Sequence, residues 1–173
     1  MVKYGKKNTI LAGFHSDINF LTIHGRSRYP GLNILARNTG KRIPVKIPEG
    51  CNLLVQAGKQ LEHITGGLIK AGFHEVAVNE QTLDVSRGFW YLYAVLKIYP
   101  QIIEKRRVGF PDRPLIRISS TFFWHLSSDY DLVPIPPLIE KARGLRAEYL
   151  DAGKFDGDET VYPPMKVGQQ VAK

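Results

Sequence analysis

The first half of the chain alternates apolar and polar residues in short runs broken by turns. Thr9 to Gly13 and Asn19 to Ile23 are two such runs; Gly31 to Arg37 and Arg42 to Ile47 are two more, joined by Asn38-Thr39-Gly40-Lys41. A period of two puts one face of a strand on a core and the other in water, and Asn and Gly between two runs supply a hairpin turn. Pro44 suits a strand end or an edge, because proline cannot donate to a ladder. Cys51 to Ala57 continues the pattern after Pro48-Glu49-Gly50, and Leu61 to Thr65 and Ile69 to Val78 read as further strands around Gly66-Gly67. Many short strands at near-even spacing predict a mainly β sandwich or jelly roll rather than a parallel α/β sheet.

The pattern changes after Val78. Residues 80–107 read as helical or irregular, strand character returns over Leu115 to Trp124, and Pro134-Ile135-Pro136-Pro137 punctuates. Leu138, Ile139, Ala142, Leu145 and Leu150 have the spacing of an amphipathic surface helix. Asp151 to Lys173 is polar and Gly-rich, which predicts a loosely packed tail.

Composition narrows the class. A length of 173 residues fits one domain, and 43% hydrophobic with 23% charged residues is ordinary for a globular protein. The single Cys51 excludes an internal disulfide, and its apolar surroundings predict a small core residue. Met1 to Lys7 is polar and basic with no apolar leader after it, and the longest apolar run, Gly88 to Leu96, is too short to span a bilayer. The expectation is a cytoplasmic protein without a membrane partner. The net charge of +8 raises nucleic acid as a partner. The basic residues are scattered from Lys3 to Arg107 with no basic helix or zinc-finger spacing, so a solvated surface with an anion-binding pocket is the preferred reading and nucleic acid is not expected.

The candidate chemistry lies in three places. His15 and Asp17 stand two apart in Gly13-Phe14-His15-Ser16-Asp17, and a lone His74 follows in Ala71-Gly72-Phe73-His74-Glu75-Val76. In extended backbone, residues two apart share a face, so His15 and Asp17 can reach one metal ion while His74 comes from a neighbouring strand. Two imidazoles and one carboxylate form the facial set that binds Fe(II) and leaves positions open. Arg117 and Ser119 are again two apart, and a guanidinium fork beside a hydroxyl makes a receptor for a carboxylate. His24 and His125 read as structural, His63 as pocket-facing or surface, and Arg26-Ser27-Arg28 as an exposed turn.

On these residues the chain resembles the isopenicillin N synthase-like family of Fe(II)/2-oxoglutarate-dependent dioxygenases. The resemblance runs from about Thr9 to Pro134 and includes Pro30-Gly31-Leu32, Pro48-Glu49-Gly50, Ala57 to Glu62, Thr65-Gly66-Gly67 and Arg117-Ile118-Ser119. It implies a double-stranded β-helix, or jelly roll, with iron held by His15, Asp17 and His74. It implies 2-oxoglutarate as co-substrate with its distal carboxylate on Arg117 and Ser119, O2 as oxidant, a small-molecule substrate, and release of succinate and CO2. An iron oxidase of the isopenicillin N synthase type without 2-oxoglutarate, and a non-catalytic fragment of such an enzyme, remain the alternatives. Two positions depart from the family's common residues: Lys59 after Gly58, where it has Asp, and Glu75 after His74, where it has Arg.

Two larger departures concern the chain's extent. Members of the family carry a helical region and a first strand before the H-x-D, so the jelly roll is expected to be incomplete at its N-terminus, with an open sheet edge. Val85 to Gln101 also lengthens the interval between His74 and Arg117. Joining Asp84 to Ile102 gives a continuous helical segment; Val-Ser can be encoded by GTGAGT and Pro-Gln can end in CAG, so a short retained intron is the hypothesis. Mature transcripts that all keep this stretch would refute it, leaving a lid loop rich in Phe89, Trp90, Tyr91 and Tyr93. The expected organisation is a dioxygenase core over residues 1–134, with 85–101 as insert or lid, then a C-terminal helix and tail over 135–173.

Overall fold

Most of the predicted alternation becomes antiparallel strand pairing. The computed structural model describes residues 9–27, 31–48, 50–78, 108–109, 119–152 and 160–172. Strand β1 (Ile10–His15) pairs with β6 (His74–Ala77), β6 with β3 (Leu32–Ala36), and β3 with β4 (Lys41–Pro44), giving a sheet of order β1-β6-β3-β4. The β3–β4 hairpin turns at residues 37–40, and Pro44 ends the outermost strand, where a missing N–H costs no ladder bond. In the second sheet β2 (Leu21–His24) runs between β5 (Leu54–Ala57) and β7 (Thr121–Trp124).

Register fixes which side chains enter the space between the sheets. Thr22 lies opposite Gln56 and Phe123, while Ile23 lies opposite Val55 and Phe122. Thr22 and Gln56 are buried and bond to residues of the β1 region, so theirs is the inner face. The outer face is apolar and open: Val55, Phe122 and Trp124 are 56%, 62% and 48% exposed. The apolar run around Cys51 was expected to be core, but Cys51 is exposed and Leu53 and Val55 face outward with it. An apolar run cannot by itself tell a buried strand from one that borders an uncovered sheet face.

A second expectation fails at Leu61 to Thr65. These residues form helix α1 (Lys59–Ile64) and its C-terminal cap, not a strand. Gln60, Glu62, His63 and Ile64 are all buried, so the helix has no polar face and its period is hidden. Its first N–H groups, which have no partner within a helix, are taken by the loop between β1 and β2: Gly58 N donates to Phe20 O, Lys59 N to Asp17 O and Gln60 N to Asn19 O, at 3.0, 2.8 and 3.1 Å. The approach requires glycine, since a Cβ at Gly58 would stand 2.0 Å from the Asn19 carbonyl oxygen.

Helix α2 (Pro136–Asp151) forms as its spacing predicts, with Ala142 buried and Leu150 exposed. Over its described residues 160–172 the tail does not pack loosely. Met165–Lys166 forms β9 against β8 (Asp131–Leu132), and α3 (Val167–Val171) buries Val167 in an apolar cluster with Ile64 and Leu132. Tyr162 donates its hydroxyl to Glu62 Oε1 at 2.9 Å. Glu62 Oε2 also accepts from the Ala71 N–H at 2.8 Å and Lys59 Nζ at 3.1 Å, so the C-terminal segment is fastened to α1 by a buried carboxylate. Residues 85–101 and Arg117 lie outside the described residues, and of the expected strand from Leu115 only Thr121–Trp124 is described as strand.

Candidate metal centre

His15 is the last residue of β1 and lies directly opposite His74, the first residue of β6. Their rings are 4.3 Å apart between centroids. Asp17 follows two residues after His15, outside the strand but still on the same side, with Oδ1 3.6 Å from His15 Nε2 and 4.0 Å from His74 Nε2. One ligand atom from each of the three residues lies within 4.8 Å of the others. Cis ligands at metal–ligand bonds of about 2.1 Å stand about 3 Å apart, so the set would close by up to about 2 Å around an ion.

Each donor is held from behind. His15 Nδ1 stands 2.7 Å from Gly13 O, and a carbonyl only accepts, so the proton is on Nδ1 and the lone pair of Nε2 faces the other two residues. Asp17 Oδ2 accepts from the Thr22 hydroxyl at 2.6 Å, and Thr22 in turn accepts from Asn19 Nδ2 at 2.9 Å. The second carboxylate oxygen, Oδ1, is left to face the imidazoles. His74 is buried, and burial pushes its pKa below the usual histidine value; His15 adds to this, while Asp17 and a hydrogen bond to the Gly72 carbonyl oppose it. A neutral imidazole is the form that binds metal. His15 is the open side of the group, 46% exposed against 5% for His74 and 8% for Asp17. Donor types, lone pairs and an open flank fit a divalent ion of the Fe(II) class.

Sequence reasoning did not single out Gln56, Thr22 and Asn19. Their signal was polar residues at inward positions of β2 and β5 and in the loop before β2, legible only once register is known. The two departures from the family's common residues leave the donors intact. Lys59 uses its backbone on Asp17 and its side chain on Glu62. Glu75 points to the face opposite His74, where it is buried and pairs with Arg42 at 2.8 Å and Asn33 at 3.0 Å. His63 is a buried helix residue away from the donors, stacked edge-on to Tyr162, whereas His24 lies 6.0 Å from His74 between ring centroids. Ser119 is described and exposed just before β7; its expected partner Arg117 is not among the described residues.

No family model matches the sequence, and no curated protein does. Solved structures do. A protein from Caulobacter crescentus described as of the 2OG-Fe(II) oxygenase family is 21% identical with a TM-score of 0.54, over 93% of this chain and 38% of that one. A Neurospora crassa protein in complex with alpha-KG and thymine is 17% identical with a TM-score of 0.56, over 94% of this chain and 36% of that one. JOX2 in complex with 2OG, Fe and JA is 21% identical with a TM-score of 0.54, over 93% and 33%. The chain thus spans little more than a third of the length of these structures. With two facing antiparallel sheets and these neighbours, the fold is the jelly roll of the 2OG-Fe(II) oxygenases.

Proposed function

We propose that the chain is the catalytic jelly-roll part of an iron- and 2-oxoglutarate-dependent dioxygenase that oxidises a small molecule and releases succinate and CO2. The observation that carries the reading is the convergence of His15 Nε2, Asp17 Oδ1 and His74 Nε2, with His15 already in the metal-binding tautomer. The ligands bound to structures of the same fold, alpha-KG in one and 2OG with Fe in another, support the choice of iron and 2-oxoglutarate. In this reading His15, Asp17 and His74 hold Fe(II), and the iron supplies the coordination and electrons for oxygen activation. Arg117 and Ser119 hold the distal carboxylate of 2-oxoglutarate, a bidentate fork with a hydroxyl beside it. Burial of Asp17 and His74 keeps water from two of the three ligands, while the exposed side at His15 admits substrate.

The test is an anaerobic titration with Fe(II) and then 2-oxoglutarate, followed by the visible metal-to-ligand charge-transfer absorption. The expected result is a band that appears only with both present, is lost in His74→Ala, and needs more 2-oxoglutarate in Arg117→Ala with iron binding unchanged. Succinate formed under air completes it. No band in the unsubstituted protein overturns the reading; iron binding without 2-oxoglutarate turnover returns it to an oxidase or a non-catalytic fragment.

A further inference from the structure

Gln56 stands between the two buried donors. It belongs to β5, in the sheet opposite His74, and is itself buried. Its Nε2 donates to Asp17 Oδ2 at 3.3 Å and lies 2.9 Å from His74 Nδ1. One side chain thus spans the gap between the sheets and touches two of the three candidate ligands on the atoms that face away from the common point. The fit is tight: a Cβ on Gly72 would lie 2.6 Å from Gln56 Cγ and 2.8 Å from Cδ. Gly72 lies two residues before His74, so the bare glycine is what lets the Gln56 side chain pass to the ring.

We propose that Gln56 is a positioning residue that couples His74 to Asp17 and sets their readiness for metal. This rests on the metal reading above. An imidazole that ligates through Nε2 keeps its remaining proton on Nδ1, so the groups bonded to the ring, Gln56 at Nδ1 together with the Gly72 carbonyl, decide the tautomer. An amide is suited to this place because it carries a donor and an acceptor, and its two ends are assigned by their partners. With nitrogen toward the ring it donates to Nδ1 and to Asp17; with oxygen toward the ring it gives up the bond to Asp17, accepts from Nδ1–H and frees the Nε2 lone pair for the ion. Thr22 holds Asp17 Oδ2 in either case. Orientation of the amide therefore links metal affinity to the state of the His74 ring, and no hydrocarbon side chain can do the same.

The test compares unsubstituted protein, Gln56→Leu, Gln56→Glu and Gly72→Ala by anaerobic Co(II) and Fe(II) titration, with ring 15N shifts of His74 read by NMR in metal-free protein. Gln56→Leu is expected to weaken both metals by about 10- to 100-fold, the scale for lost partners of metal ligands, and to move the His74 ring signals. Gln56→Glu still accepts from Nδ1–H but puts a like charge beside Asp17 Oδ2, so it is expected to return the His74 ring signals toward those of the unsubstituted protein while recovering only part of the affinity. Gly72→Ala weakens metal in the same direction with Gln56 still present, and carries the test where the leucine variant does not fold. If the unsubstituted protein takes up neither metal, the metal reading falls and this inference with it. If it binds but Gln56→Leu and Gly72→Ala bind equally well with His74 signals unmoved, the role of Gln56 is overturned and the metal reading stands.

Discussion

Two buried carboxylates, Asp17 and Glu62, sit in opposite kinds of company. Glu62 is enclosed: the Ala71 N–H, Lys59 Nζ and the Tyr162 hydroxyl all donate to it, and Lys70 Nζ is 3.8 Å away. Asp17 is satisfied on one oxygen only, and among the described residues no lysine or arginine pairs with it. Its other oxygen faces two imidazole nitrogens, one of them on a ring whose burial opposes a positive charge. Burial of an anion without a cation is expensive unless something else supplies the charge. The same residue class therefore serves the fold in one place and, on the proposed reading, a ligand in the other.

The largest expected effect separates the two sites by ligand binding. His74→Ala or Asp17→Asn removes one of three donors, and Co(II) affinity should fall by at least about a thousandfold, about 4 kcal/mol of binding free energy. The metal-free melting temperature of Asp17→Asn should change little, because the amide keeps the bond from Thr22. Calorimetric metal titration and thermal unfolding on the same samples check both halves. A large loss of metal-free stability with metal affinity retained would make Asp17 a fold residue like Glu62.

The converse substitution comes next. Glu62→Leu leaves the Ala71 N–H, Lys59 and Tyr162 without their acceptor, and breaking a buried charged network on one side costs about 3 kcal/mol. Urea unfolding should show that loss, while Co(II) affinity of the folded protein stays within about threefold, a difference under 1 kcal/mol. A variant that folds as well as the parent but loses metal would reverse the assignment of the two clusters.

The two clusters also differed in how legible they were. His15 and Asp17 could be paired from the sequence because a spacing of two is a local pattern, and His74 was joined to them as a lone histidine in a strand-like run and by the resemblance. The Glu62 cluster could not: Leu61 to Thr65 is too short a run to show a helical period, and with Gln60, Glu62, His63 and Ile64 all buried the polar residues do not mark a solvent face. Tyr162 reaches Glu62 across 100 positions of chain, from a segment whose composition alone reads as a tail. Gln56 was hidden for a related reason. A glutamine among apolar residues in a strand reads as an outward position until the register places it opposite Thr22, on the inner face. The jelly roll followed from strand spacing and resemblance together, but which sheet face lies open, with Val55, Phe122 and Trp124 on it, required the pairing itself.

Acid should distinguish the clusters by pH range. Burial pushes His63 and His74 below the usual histidine value of 6.5. Below pH 6.5 the unfolded chain takes up protons that the folded metal-free chain does not, so stability falls as pH drops toward and through the folded values. Burial pushes Glu62 up, but hydrogen bonds from Ala71, Lys59 and Tyr162 outweigh it and hold the pKa below the usual 4.5. Its contribution is therefore complete above that value and is lost as pH falls through the folded pKa. Denaturant midpoints from pH 7 to pH 3 should decline in two ranges, and Glu62→Gln should flatten only the lower one. Flattening of the upper range instead would mean that Glu62 acts mainly through the histidines.

Tyr162→Phe is the finest cut. Burial first, and then Glu62, raise the phenol pKa well above the ordinary 10, so the hydroxyl stays protonated and donates throughout the accessible range. Removing it deletes the hydrogen bond to Glu62 and the one accepted from Lys70 Nζ at 3.1 Å but keeps the ring against His63, and Glu62 retains Ala71 and Lys59. The expected loss is about 1.5 kcal/mol, at the lower end for bonds to charged groups. It should be largest above the usual Glu pKa of 4.5, where unfolded and folded Glu62 are both ionised, and shrink in acid as the carboxylate is protonated. The phenol contributes nothing to the donors around Asp17, so metal affinity should not move. A loss independent of pH would show that the tail is held by packing of the ring, and the contrast between an enclosed carboxylate and an open one would then rest on Lys59 and Ala71 alone.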